Sequence, residues 1–406
     1  MLAAVCATGC GGSGGGDSLG LTIGNLVPLR GDLAAYGAAA RKSAALAGES
    51  ARRAGAPAAT VRVRSADTES NEEIAQVLAR RMVEDEGAGC IVGDWAASAT
   101  FAVAGNVTIP AGVPLVSPAT SSFELGSIND SGLVFRTAPS DGLQALALAR
   151  LAARSSGGAG GRVLSIAGRD DLYGRRFARI LGGEWRRLGG SVHGPFLYDP
   201  GLLHHRAEAG RIVAGRPDAY AVIDFPQSFA RLAPDLLATG RFESSRLFVP
   251  DVMSVGDPTG VGIPAAALDG ASGTLPGATS PGPAGRAFDR LFAADPAPPG
   301  GQAGFDAEVF DATTLCFLAA VAADSTDGRE VASRIRSVSG PPGRGYGPAQ
   351  ISQAVRDLRA GREIDYRGAS GPLDLDARGD PTAAIFGVFR FEGARAKQLG
   401  TIFARR

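Results

Sequence analysis

Residues 21–50 read LTIGNLVPLRGDLAAYGAAARKSAALAGES. The apolar run 21–27 has the length and β-branching of a buried strand. Pro28 ends it, having no N–H to give a sheet ladder. A polar loop with Arg30, Gly31 and Asp32 follows, and then an Ala- and Leu-rich segment of helical composition. Strand, loop and helix make the opening of a βα unit. In an open α/β sheet, the loop leaving a strand's carboxyl end faces the ligand crevice. The helix start adds free backbone N–H groups and the positive end of a dipole, which suit an anion. Tyr36 and Gly37 fall in the first turns of that helix, within reach of the crevice.

The same alternation continues outward from this unit. Residues 60–65 alternate as a strand, 71–86 carry helical periodicity, and 90–93 and 113–117 read as further buried strands. A second series starts after Phe135-Arg136-Thr137-Ala138-Pro139-Ser140-Asp141. It has helices at 142–155 and 175–188 and near 203–214, and strands at 162–167, 191–196, 219–223 and 247–249. Helices between successive strands predict parallel, doubly wound sheets, and two runs of βα units predict two lobes of similar architecture. A Gly- and Pro-rich segment, 251–300, carries a short strand at 270–275. An apolar helix at 305–321 follows, and a final strand is expected at 384–391.

Composition agrees with two cores, at 406 residues and 45% hydrophobic. Forty-one basic residues balance forty-one acidic ones, which removes a general electrostatic case for nucleic acid or an anionic membrane. No apolar run approaches the roughly 20 residues that span a bilayer. Cys90 and Cys316 lie in apolar segments and read as buried small hydrophobes, with a bond between them left open. His193, His204 and His205 lie away from the crevice loops, and the adjacent pair reads as a solvated helix start. No H-E-x-x-H, G-x-S-x-G or P-loop is present, so the sequence asks for no catalysis and no cofactor. The N-terminal Ala7-Thr8-Gly9-Cys10 resembles a bacterial lipobox. That implies lipidation at Cys10, with 1–19 forming a signal remnant and a Gly-rich tether.

Several short motifs occur in one order. P-L-x-G-x-L-A-x-Y-G spans 28–37, Arg136-Thr137 follows a strand, and Asp171-Leu172-Tyr173-Gly174 opens a helix. Val309-Phe310-Asp311-Ala312 and the tail Tyr366 to Asp380 complete the set. Together they resemble the type I periplasmic solute-binding proteins, the branched-chain amino-acid binding proteins of ABC importers. The resemblance implies two Rossmann-like lobes joined by a three-strand hinge. It places 20–138 and 272–343 in lobe 1, and 139–271 and 344–406 in lobe 2. It further implies a monomer held outside the cytoplasm by its lipid anchor, delivering a small polar solute to a membrane ABC permease. The solute expected is an amino acid or similar carboxylate; a sensor feeding a receptor or kinase is the alternative role.

Candidate binding residues follow from the crevice loops. Ser98, Thr100, Thr120 and Ser121 offer hydroxyls and helix-start N–H groups to a carboxylate. By the resemblance, Ser121 matches a ligand-binding hydroxyl, while Ala97 stands where amino-acid binders carry a Ser. Asp269 matches the family position where a Glu meets the ligand's ammonium. Tyr36, Trp95 and Tyr173 would wall the pocket with flat rings; by the resemblance, a side chain around Phe225 and Gln227 would lie over the ligand.

Overall fold

The computed structural model describes residues 20–54, 61–254, 258–295 and 302–406. The lipidation expected at Cys10 and the tether lie outside these residues. The opening βα unit is β1 (Thr22–Val27) and α1 (Ala34–Arg53). It continues through β2 (Arg62–Asp67), α2 (Glu72–Glu84), β3 (Ala88–Val92), α3 (Ala97–Val103), a short α4 (Ile109–Ala111), β4 (Leu115–Ser117) and β5 (Val134–Arg136). The five strands form a parallel sheet in the order β2-β1-β3-β4-β5.

The second series is α5 (Asp141–Ser155), β6 (Val163–Arg169), α6 (Leu172–Arg187), β7 (Ser191–Tyr198), α7 (Arg206–Ile212) and β8 (Ala219–Ile223). Next come α8 (Pro226–Ala238), β9 (Leu247–Val249), α9 (Ala265–Leu268) and β10 (Ser272–Leu275). The chain then returns to the first core with α10 (Pro283–Ala294), α11 (Asp306–Ala323), α12 (Gly328–Val338), β11 (Arg344–Tyr346), α13 (Ile351–Arg359) and β12 (Ile364–Tyr366). It ends as an antiparallel pair, β13 (Ala383–Glu392) and β14 (Arg395–Arg405), on the second sheet. That sheet runs β14-β13-β10-β9-β8-β6-β7. The chain therefore passes between sheets three times, after β5, after β10 and after β12. This is the two-lobed architecture expected.

Two segments sit elsewhere than the boundaries drawn from the resemblance. β10, expected with lobe 1, pairs with β9 and β13 in the second sheet. Residues 344–366, expected with lobe 2, bury Tyr346, Ile351, Val355 and Ile364 in the first core. Their apolar spacing fits a cover for α11, which is buried at every position from Asp306 to Ala320. An all-round apolar helix needs packing on every side, and α1, α12 and α13 supply it. No single helix among the described residues is long and apolar enough to cross a membrane. Cys90 of β3 and Cys316 of α11 are disulfide-bonded, which closes the pairing left open above. The bond ties that central helix to the sheet across 226 residues of sequence.

Three motifs of the resemblance, at 136–137, 309–312 and 366–380, form the joint between the lobes. Arg136, 1% exposed, donates from Nε to Asp380 at 2.7 Å and from a terminal nitrogen to the carbonyls of Thr120 and Ser122. Thr137 donates to the Glu308 carbonyl at 2.8 Å. Asp311, fully buried, accepts from the Tyr366 hydroxyl, the Ala369 N–H, and both the N–H and hydroxyl of Ser370. A buried charge is tolerable only with such satisfaction.

Candidate functional site

The carboxyl ends of β1, β3 and β4 face those of β6, β8 and β9 across the gap between lobes. Both jaws open on a Tyr-Gly pair. A Cβ on Gly37 would collide with the Pro28 carbonyl oxygen, and one on Gly174 with that of Arg169. Glycine thus lets each helix start close against the strand exit before it. The preceding tyrosine, Tyr36 or Tyr173, is carried to the crevice edge.

In the first lobe, the Tyr36 ring stacks on Trp95, with centroids 5.3 Å apart. Phe305, at the start of α11, meets both rings edge-on. The Trp95 loop is shaped by the Asp94 carboxyl, which accepts from the N–H groups of Trp95 and Ala96. In the second lobe, the Tyr173 ring stacks on Phe225 at 5.4 Å, and the Arg169 guanidinium lies 4.2 Å from the Phe225 centroid on a cation–π contact. Asp224 holds this loop by accepting from the Phe225 N–H, the Ser228 hydroxyl and the Tyr198 hydroxyl. The expected wall residues Tyr36, Trp95, Tyr173 and Phe225 are thus paired ring on ring, one pair per lobe.

Two carboxylates that the sequence reading missed join them. Asp141, 6% exposed, opens α5; Asp251 follows β9 at its carboxyl end. Burial pushes the Asp141 carboxyl up to about 7, with the neighbouring Asp251 charge adding to it and a hydrogen bond from Ser121 opposing it. Asp251 accepts from the Gln144 side chain at 2.8 Å, and enclosure still raises its carboxyl above the usual range. The Tyr36 phenol is raised by burial and then by the Asp251 charge. The Tyr173 phenol is raised well above normal by burial, with Asp141 and Asp251 contributing. These four groups from both lobes therefore share one electrostatic neighbourhood.

Hydroxyls line the first-lobe side. Thr100 Oγ1 lies within hydrogen-bond distance of the carbonyls of Asp94 and Ala96, which only accept, so its proton goes to them. Thr120 Oγ1, 2.7 Å away, must then donate to Thr100 and keeps only lone pairs. That hydroxyl suits an ammonium, not the carboxylate expected for it. Ser121 turns to Asp141. Ser98 is exposed on the first turn of α3, beside the crevice. Among the described residues, the buried Trp95 Nε1 and the Tyr173 hydroxyl have no hydrogen-bond partner. Each is a buried donor without a partner, as Asp94 Oδ2 beside Trp95 is a buried acceptor without one.

Three expectations are corrected. Asp269 is exposed at the amino end of β10, where its carboxyl accepts from the Gly393 N–H. A strand's amino end faces away from the crevice, so Asp269 cannot meet a ligand there, whereas Asp251 follows the carboxyl end of β9. Gln227 is exposed on the first turn of α8, and the loop presents the Phe225 ring instead. His205 is fully buried against Tyr198, not on a solvated helix start, because its N–H is anchored by Asp235. No group of three or more His, Cys, Asp or Glu that could hold a metal occurs among the described residues.

Two α/β lobes on a three-pass joint, with rings, hydroxyls and carboxylates between them, are the architecture of a two-lobed binding protein. The profile of the periplasmic binding protein family matches residues 20–364, and the chain belongs to that family. The chemotactic signal transduction system substrate-binding protein BasB of Halobacterium salinarum is 28% identical over 371 residues, covering 89% of this chain and 84% of BasB. The leucine-binding protein LivK of Thermotoga maritima is similar at 20% identity and a TM-score of 0.63, over 94% of this chain and 98% of its own. A solute-binding protein of an R. palustris ABC transporter, solved with 4-hydroxybenzoate, is similar at 17% identity and a TM-score of 0.64, over 95% and 98%.

Proposed function

We propose that this protein works outside the cytoplasm as the solute receptor of an ABC importer, capturing an α-amino acid by closure of its lobes. One observation carries the ligand class: the enclosed carboxyls of Asp141 and Asp251 and the lone pairs of Thr120 share the crevice with two stacked ring pairs and with the Trp95 N–H and Tyr173 hydroxyl, which have no partner among the described residues. The acceptors fit an ammonium, the donors a carboxylate, and the rings an apolar side chain. Contacts from both lobes favour the shut state, which a permease then recognises. A calorimetric screen of amino acids, aromatic acids, amides and urea tests this. Saturable binding of an amino acid is expected, and silence toward all of them rejects the class.

The likeness to BasB favours a second role for the same receptor, handing its closed form to a signalling partner. Permease and ATPase genes beside this one support import; a sensor gene in their place supports signalling.

Asp141 makes capture pH-dependent. A cation selects the ionised carboxyl, and near pH 7 only about half of Asp141 is ionised. Affinity is expected to rise about tenfold between pH 6 and pH 8, with proton release on binding falling from nearly one at pH 6 through about half at pH 7 to nearly none at pH 8. Calorimetry in buffers of different ionisation heat measures both; a flat profile across that range removes Asp141 from the ligand's contacts. The empty protein follows the opposite trend. Its folded pKa lies above the ordinary 3.8, so Asp141's contribution to stability is fullest below that value and is lost as pH rises to about 7.

A further inference from the structure

A groove of about 820 Å³ lies behind the crevice, on the far side of the α5 start. Its walls come from both lobes. Phe123, Ser127 and Arg136 belong to the first, and Arg150, Arg179 and Arg187 to the helices and sheet of the second. Eight arginines line it against two carboxylates, Glu184 and Asp380. Each of those carboxylates is already bridged by two arginines: Glu184 by Arg150 and Arg187, Asp380 by Arg136 and Arg406. Counting the flanking Glu124, Asp374 and Asp376, which pair with rim arginines, three positive charges remain in excess. The chain as a whole is neutral, so this is a local concentration. Among the described residues, the exposed guanidinium groups of Arg179 and Arg378 have no partner.

We propose that this groove is a second binding site, for a small multivalent oxyanion of the phosphate or polycarboxylate class. Its volume suits a small molecule. Guanidinium forks match phosphate and carboxylate oxygens two by two, and several forks on one concave surface select for more than one charge. The floor is also wired to the crevice. Arg136 holds the carbonyls of Thr120 and Ser122, and Arg406 donates at 2.9 Å to Ser140, which caps the helix that Asp141 opens. An anion here touches both lobes and therefore favours the lobe arrangement in which these arginines line one groove.

Calorimetry on the full chain without crevice ligand, at fixed ionic strength, tests the site with inorganic pyrophosphate and with citrate in separate arms. One-to-one binding of either is expected, weakened at least tenfold in an Arg179→Ala/Arg378→Ala variant. Arg356→Ala, an exposed change on α13, should leave it within twofold. Response to pyrophosphate alone assigns the phosphate class, and response to citrate alone the polycarboxylate class. No binding at millimolar concentration overturns the proposal, as does equal weakening by Arg356→Ala, which marks diffuse attraction. Small-angle scattering gives a second readout: pyrophosphate should shift the radius of gyration of the wild type and not of the double variant. An unchanged radius with bound anion overturns the bridging role. Neither measurement uses an amino acid, so failure here is separate from failure of the crevice assignment.

Discussion

Asp251→Asn is expected to weaken capture of the tightest solute from the screen by about 30- to 3,000-fold. Removing one partner of an enclosed charge pair costs about 2–5 kcal/mol, and each 1.4 kcal/mol is about tenfold in affinity. The substitution keeps the shape of the side chain and an oxygen for the Gln144 amide, so the wall stays in place. Only the negative charge is lost. Folding should be unharmed, since an enclosed carboxylate raised by burial destabilises the empty protein in its ionised form. The Tyr36 phenol should titrate lower in the variant, because the Asp251 charge that helps raise it is gone. Asp269→Asn is the matched control and should leave affinity within twofold, its carboxyl being committed to the Gly393 N–H. Calorimetry on both variants decides the point. If Asp269→Asn costs as much as Asp251→Asn, the ammonium site has been misplaced.

That contrast shows how far the sequence could be read. The βα alternation was legible because strand and helix periodicities are local, and each crevice loop could be placed by following a strand. Trp95, Tyr173 and Phe225 lie two to four residues past a strand end, and Tyr36 sits in the helix that follows β1. Asp251 also follows a strand end directly, in Leu247-Phe248-Val249-Pro250-Asp251. It was passed over because a carboxylate before a glycine, Asp269, offered a better motif match. Which end of β10 that carboxylate occupied depends on pairing with β9 and β13, which is tertiary information. The same limit hid Phe305 and the packing of 344–366. Nothing within those segments states which core they cover. β14 was missed for a different reason: it is an edge strand with residues 395–400 exposed, and it lacks an apolar run. The motifs themselves misled in an instructive way. Arg136, Asp311, Tyr366 and Asp380 carried the resemblance, yet all four serve the joint between lobes and none lines the ring pairs.

Asp311→Ala is expected to lower stability by about 3–5 kcal/mol, since hydrogen bonds to a charged group contribute about 1.5–3 kcal/mol each and unsatisfied buried donors cost about 1–3 kcal/mol. Four donors converge on this carboxylate, two on each oxygen. The hydroxyls of Tyr366 and Ser370 can rotate toward other acceptors, but the N–H groups of Ala369 and Ser370 are fixed by the backbone. That difference holds the expected loss to the stated range instead of four full bonds. Burial raises the carboxyl to about 6 while these same donors pull it down, so at neutral pH it is the ionised, fully engaged form that is removed. Asp311→Asn should recover little. An amide has one accepting oxygen, and its NH₂ would face N–H donors it cannot satisfy. For a lobe of about 200 residues, such a loss corresponds to a melting midpoint lower by about 10 °C. Differential scanning calorimetry gives the midpoint, and a shift under 2 °C would show that the donors find other partners. Affinity measured below the lowered midpoint should change far less than in Asp251→Asn, because Asp311 touches the returning chain after β12 and not the crevice. Its carboxylate fixes where the third pass begins, by holding Tyr366, Ala369 and Ser370 at the end of β12.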